Sequence, residues 1–108
     1  MNQRLTEESK KLSELCNMVR RLTKQRNFSD CERVIAAAMS EYPHAPQPHN
    51  LMGVLFKIKD DPATAMKHFR AACSLDPSYT PVRHNLHNFA SLYTVGAFVF
   101  DETDLGNF

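Results

Sequence analysis

Residues 49–77, HNLMGVLFKIKDDPATAMKHFRAACSLDP, decide the reading of this chain. Gly53 follows a large apolar residue, Met52, and the aromatic Phe56 comes three positions after the glycine. Leu51, Met52, Leu55 and Phe56 recur at helical spacing and predict an amphipathic helix ending near Lys59. Asp61-Pro62 is then a start signal: a capping carboxylate followed by a proline where its missing N–H costs nothing. A second helix carries Ala65, Met66, Phe69 and Ala72 and stops before Asp76-Pro77. Pro43 lies 34 residues before Pro77, so the stretch is one unit of a repeat with that period.

The ordered set His49, Met52, Gly53, Phe56, Ala65, Phe69, Ala72 and Pro77 resembles the tetratricopeptide repeat, W-x2-L-G-x2-Y…A-x3-F…P. His49 replaces the Trp, Met52 the Leu and Phe56 the Tyr. Moved back by one period, the pattern meets Leu15, Met18, Val19 and Leu22, then Cys31, Ile35, Ala38 and Pro43. Val19 stands where Gly53 stands, so this earlier helix pair is expected to pack slightly wider apart. Moved forward, Arg83, Leu86, His87 and Ala90 fill half a unit, and the chain then leaves the pattern. The resemblance spans roughly residues 12–93. It implies an all-α fold of stacked antiparallel helix-turn-helix repeats in a right-handed superhelix. The units are about 12–45, 46–79 and a half repeat 80–94, within a helical domain 1–94 that is followed by a non-repeat tail, 95–108.

The residues outside the central unit read the same way. Before Gly96 no segment alternates with period two, which makes this part all-α. A first helix should start near Thr6, bury Leu12, Leu15, Val19 and Leu22, and end around residues 25–27. Ser29-x-x-Glu32 has the form of a capping box and places the start of the second helix. Pro46 suits the first turn of the third helix. Thr80-Pro81 opens a fifth, expected to bury Val82, Leu86, Phe89, Ala90 and Tyr93 and to end at Gly96.

A chain of this length is one domain with a modest core. A formal net charge of +1 removes the simplest argument for nucleic acid. Charge is unevenly placed: seven Lys or Arg against three Glu through Arg26, and only Asp101, Glu102 and Asp104 from Gly96 onward. The basic cluster Arg20, Arg21, Lys24 and Arg26 is explained by a helix C-terminus, which favours cations. Three cysteines without paired spacing argue against a disulfide framework. No leader or membrane span is expected, and a reducing cytoplasmic setting is the default.

No Gly-rich phosphate loop, nucleophile elbow or paired carboxylates appear, so no enzyme activity and no cofactor are expected. His84-x-x-His87 lacks a third ligand for a metal, and Cys16 with His84 lacks a setting that would activate a thiolate. His44, His49 and His68 show no pattern. The repeat resemblance implies instead a concave groove lined by the first helix of each pair. It places there Cys16, Arg20 and Lys24, then Asn50, Val54 and Lys57, then His84, Asn88 and Ser91. The peptide-binding candidates are Arg20, Lys24, Asn50, Lys57, His84 and Asn88. Asn can grip a peptide backbone through donor and acceptor, and Arg or Lys can take a carboxylate. The expected partner is a protein or peptide segment of acidic character. The carboxylate clamp that chaperone-serving members of the family use is not matched: Cys16, Arg20, Leu51, Pro81 and Asn85 stand at its places. The expected function is thus a non-enzymatic protein–protein interaction module, a scaffold or adaptor. The alternative is a structural homo-oligomerisation module, a homodimer using the last helix and tail. In the tail, Phe98, Phe100, Leu105 and Phe108 are apolar anchors among acids. That segment either covers the last helix, occupies the groove of its own chain or of a second copy, or is disordered.

Overall fold

A computed structural model describes residues 3–89 and 98–107 of the chain. Five α-helices follow in order: α1 (Gln3–Lys24), α2 (Phe28–Glu41), α3 (Pro46–Ile58), α4 (Pro62–Leu75) and α5 (Thr80–His87), with a 3-10 helix over Glu102–Asn107. Each helix packs on the next, and the odd-numbered helices also touch one another, α1 on α3 and α3 on α5. The Cα radius of gyration of 12.8 Å is what a packed domain of this size has. The result is an all-α bundle with the character of a helical repeat.

The α1–α2 and α3–α4 turns are copies of one another. At the end of α1, Arg26 N–H donates to Thr23 C=O and Asn27 N–H to Leu22 C=O. At the end of α3, Asp60 N–H donates to Lys57 C=O and Asp61 N–H to Phe56 C=O. Both are Schellman motifs, and their left-handed residues are Arg26 (φ 58°) and Asp60 (φ 63°). The next residue caps the following helix in each case: Asn27 Oδ1 accepts from Asp30 N–H at 3.4 Å, and Asp61 Oδ1 accepts from Thr64 N–H at 3.2 Å. The second helix therefore starts at Asn27 and not at the Ser29-x-x-Glu32 box. Asn27 directly follows the left-handed turn and reaches the free N–H groups first, and the Glu32 side chain instead meets Lys59 Nζ at 3.6 Å. Pro46 and Pro62 both sit in the first turn of their helices, as expected.

The core joins Val19, Ile35, Leu51, Leu55, Phe69 and Val82, each at most 1 % exposed. α3 and α4 are the most extensively packed pair, more so than α1 and α2. Gly53 is the reason: a Cβ there would stand 2.5–2.9 Å from the Phe69 ring, so only a missing side chain lets the ring lie on the α3 backbone. α5 is shorter than expected. It ends at His87, because the Asn88 side chain donates back to the His84 carbonyl at 3.1 Å and the Asn88 N–H takes the capping position. Ala90, Ser91, Tyr93 and Gly96, together with most of the last stretch of the half repeat, lie outside the described residues, as does Phe108.

Candidate peptide-binding site

The odd-numbered helices present one side chain each to the end of the chain: Arg20 from α1, Asn50 from α3 and Asn85 from α5. Asn50 and Asn85 are fully buried. A carboxamide in a core position is costly unless its hydrogen bonds are made. Here they are made by the backbone of Val99. Asn85 Oδ1 accepts from Val99 N–H at 3.0 Å, and Asn85 Nδ2 donates to Val99 C=O at 2.9 Å. Asn50 Nδ2 donates to the same carbonyl at 3.0 Å, and Asn85 Nδ2 donates to Asn50 Oδ1 at 2.9 Å. Two side chains thus clasp the N–H and the C=O of one residue, whose own side chain takes no part in these bonds.

Around the clasp, Phe98, Val99, Phe100 and Asp101 are all buried, at 4, 0, 4 and 5 % exposure. The Phe100 ring lies under the Arg20 guanidinium, 5.5 Å from centroid to Cζ. Arg20 Nη2 donates to Asp101 Oδ1 at 2.8 Å and to Asp104 Oδ2 at 3.0 Å. Burial works against the charge on Arg20, and its hydrogen bond to Asp104 with the charge of Asp101 more than offsets it. The two acids also organise their own loop. Asp104 accepts from the N–H groups of Phe100 and Asp101, and Asp101 accepts from the N–H and hydroxyl of Thr103. Charge-assisted bonds of this kind are the stronger class.

Beside Asp101 is a cavity of about 210 Å³ lined by Ser9, Ser13, Cys16, Gln47, Tyr79 and Glu102, among others. Burial pushes the Cys16 thiol up to about 12, and the Asp101 charge adds to the effect. This is the reverse of an activated nucleophile. Burial likewise pushes the Tyr79 phenol up.

The six sequence candidates separate into groups. Arg20 and Asn50 meet at the tail. Lys57 lies on α3 with its Nζ 4.2 Å from the Phe89 ring centroid. His84 and Asn88 lie together on and just after α5, joined by the Asn88 side chain. Lys24 is exposed in the last turn of α1. Asn85, which makes the two-sided clasp, was not among them. Its signal is a buried helix position occupied by Asn: it falls 34 residues after Leu51, a core residue. A second pairing also lacked a sequence pattern. His49 Nδ1 and His68 Nδ1 stand 3.1 Å apart between α3 and α4, and His68 stacks on Phe56. No group of three or more metal-ligating side chains occurs among the described residues.

Comparison of the chain with family models, with curated proteins and with solved structures returns no match. No helix among the described residues is long and apolar enough to cross a membrane.

Proposed function

We propose that this chain is a tetratricopeptide-like interaction module, a non-enzymatic scaffold or adaptor that holds a peptide segment in a groove lined by α1, α3 and α5. One observation carries the reading: the backbone of Val99 is held from both of its polar groups by Asn50 and Asn85. Side chains that take hold of main-chain groups in an irregular segment are what peptide recognition requires, since they act on any sequence. Arg20 adds a preference for acids. The repeat pattern around Gly53 supports the same reading, because first helices of such units line the groove.

Selection of random linear peptides on the full chain tests it. Enriched sequences should lose binding on Arg20→Ala while the protein keeps its solution mass. A selection that enriches nothing overturns the reading. The second reading, a structural homo-oligomerisation module, draws on the same contacts, since the clasp could hold the tail of another copy. It requires a mass that rises with concentration in light scattering.

A further inference from the structure

Three buried polar side-chain atoms among the described residues make no hydrogen bond to another protein group: Arg20 Nε, Gln47 Oε1 and Tyr79 Oη. All three belong to residues at the tail. Arg20 holds Asp101 and Asp104, and Gln47 and Tyr79 line the cavity that Asp101 and Glu102 also line. A buried polar atom without a partner is destabilising relative to one that is paired. Among the described residues no other buried side-chain nitrogen or oxygen lacks a partner, so the mismatch gathers at one contact, that between the tail and the helices.

We propose that residues 98–104 are a resident surrogate for a segment of a partner protein, and that this segment has the same chemistry with better fit. It presents an apolar run ending in an aromatic, an acid directly after it and a second acid three residues further on, as Phe98-Val99-Phe100-Asp101 and Asp104 do here. Its acid approaches Arg20 side-on through Nε and Nη2, the bidentate geometry that the tail leaves unused. A hydroxyl or carboxamide in the cavity joins Tyr79 and Gln47. A foreign segment is the better occupant than a second copy of this chain. Every copy already holds its own tail, so exchange between copies replaces each contact by an identical one and gains nothing. The tail then sets a threshold: a partner must outcompete a segment tethered at high effective concentration.

The inference rests on the groove reading above and fails separately from it. The probe is a fluorescein-labelled synthetic peptide of residues 97–108, AFVFDETDLGNF, added to the full chain. The double variant Asp101→Asn with Asp104→Asn weakens the resident tail. It should bind the probe at least about ten-fold more tightly than the native chain does, as expected where charge-assisted bonds are lost from the competitor. A probe carrying Asn at both acid positions should lose that gain, and adding Arg20→Ala should make the two probes equal. Equal affinity of native chain and variant, or indifference to the acids, overturns the proposal. A library binder that lacks acids yet needs Asn50 and Asn85 would also overturn it while upholding the groove. A concentration-dependent dimer of the native chain would replace the foreign segment by a second copy and overturn it as well. A measurement on the native chain covers a variant that does not fold. The Val99 amide should exchange with solvent through an opening that leaves the Phe69 amide protected. Exchange of both only through global unfolding would make the tail inseparable from the core and end the proposal.

Discussion

Asn85 holds, one repeat later, the place of Leu51 in α3. A leucine there would bury apolar area at no polar cost. The carboxamide is tolerated because all its bonds are made: Nδ2 to Asn50 and Val99, and Oδ1 from Val99. Asn85→Ala strands the Val99 N–H and the Asn50 carboxamide oxygen. It should lower unfolding free energy by about 3 kcal/mol, read as a shift of the urea midpoint with an unchanged slope. Gly53→Ala acts in the opposite sense, by adding atoms. Its Cβ meets the Phe69 ring, which is itself fully buried and has nowhere to move, so a loss of roughly 1–3 kcal/mol is expected in the same titration. Gly53 was legible in the sequence, since a glycine in a fixed apolar frame signals close approach. Asn50 and Arg20 were legible because the repeat frame placed them on one face. Asn85 was not, because the frame steps by 34 residues and the clasp spans 35.

The helices and their turns were the most readable level. Period, proline and capping carboxylate placed α3 and α4 to within a residue or so, while the start of α2 was misplaced because Asn27 outcompetes the Ser29 box. The turns hold strain that sequence patterns do not display. Asp60 adopts φ 63° in a Schellman turn where glycine is the unstrained choice. Asp60→Gly should stabilise the protein by about 1 kcal/mol, seen as a melting temperature higher by roughly 4 °C. The α3–α4 interface also carries a pH response. Burial lowers the proton affinity of His49, and burial with the nearby His49 lowers that of His68, both from an ordinary value of 6.5. The unfolded chain then binds more protons than the folded one just below that value. Stability is therefore full above about pH 6.5 and falls as pH drops toward the lowered folded values. Urea midpoints measured from pH 7.5 to 5 should decline below that point, and His68→Phe should flatten part of the decline. A midpoint that rises on acidification would refute the assignment.

At the scale of the molecule, the tail packs its apolar side chains onto the core. Phe98, Val99 and Phe100 are buried side chains, and such burial contributes roughly 1.5–3 kcal/mol apiece. Ending the chain at Thr94 should remove on the order of 5 kcal/mol, a large part of the stability of any domain this size. The far-UV melting temperature should fall by about 20 °C. An unchanged melting temperature would show that these residues contribute nothing to the fold. The sequence marked the tail as apolar anchors among acids beside a basic, amide-lined face, but not where it goes. Periodicity speaks only within an element, and an irregular segment is placed by the side chains that receive it. The offset between 34 and 35 residues has a further consequence for how such a chain can grow. Tandem duplication of residues 46–79 would lengthen the stack and copy Asn50 into every new unit at the same phase, with Leu51 always beside it. No number of copies generates the pair. The clasp is confined to the meeting of α3, α5 and the tail, so duplication would lengthen the helical stack without ever multiplying the clasp.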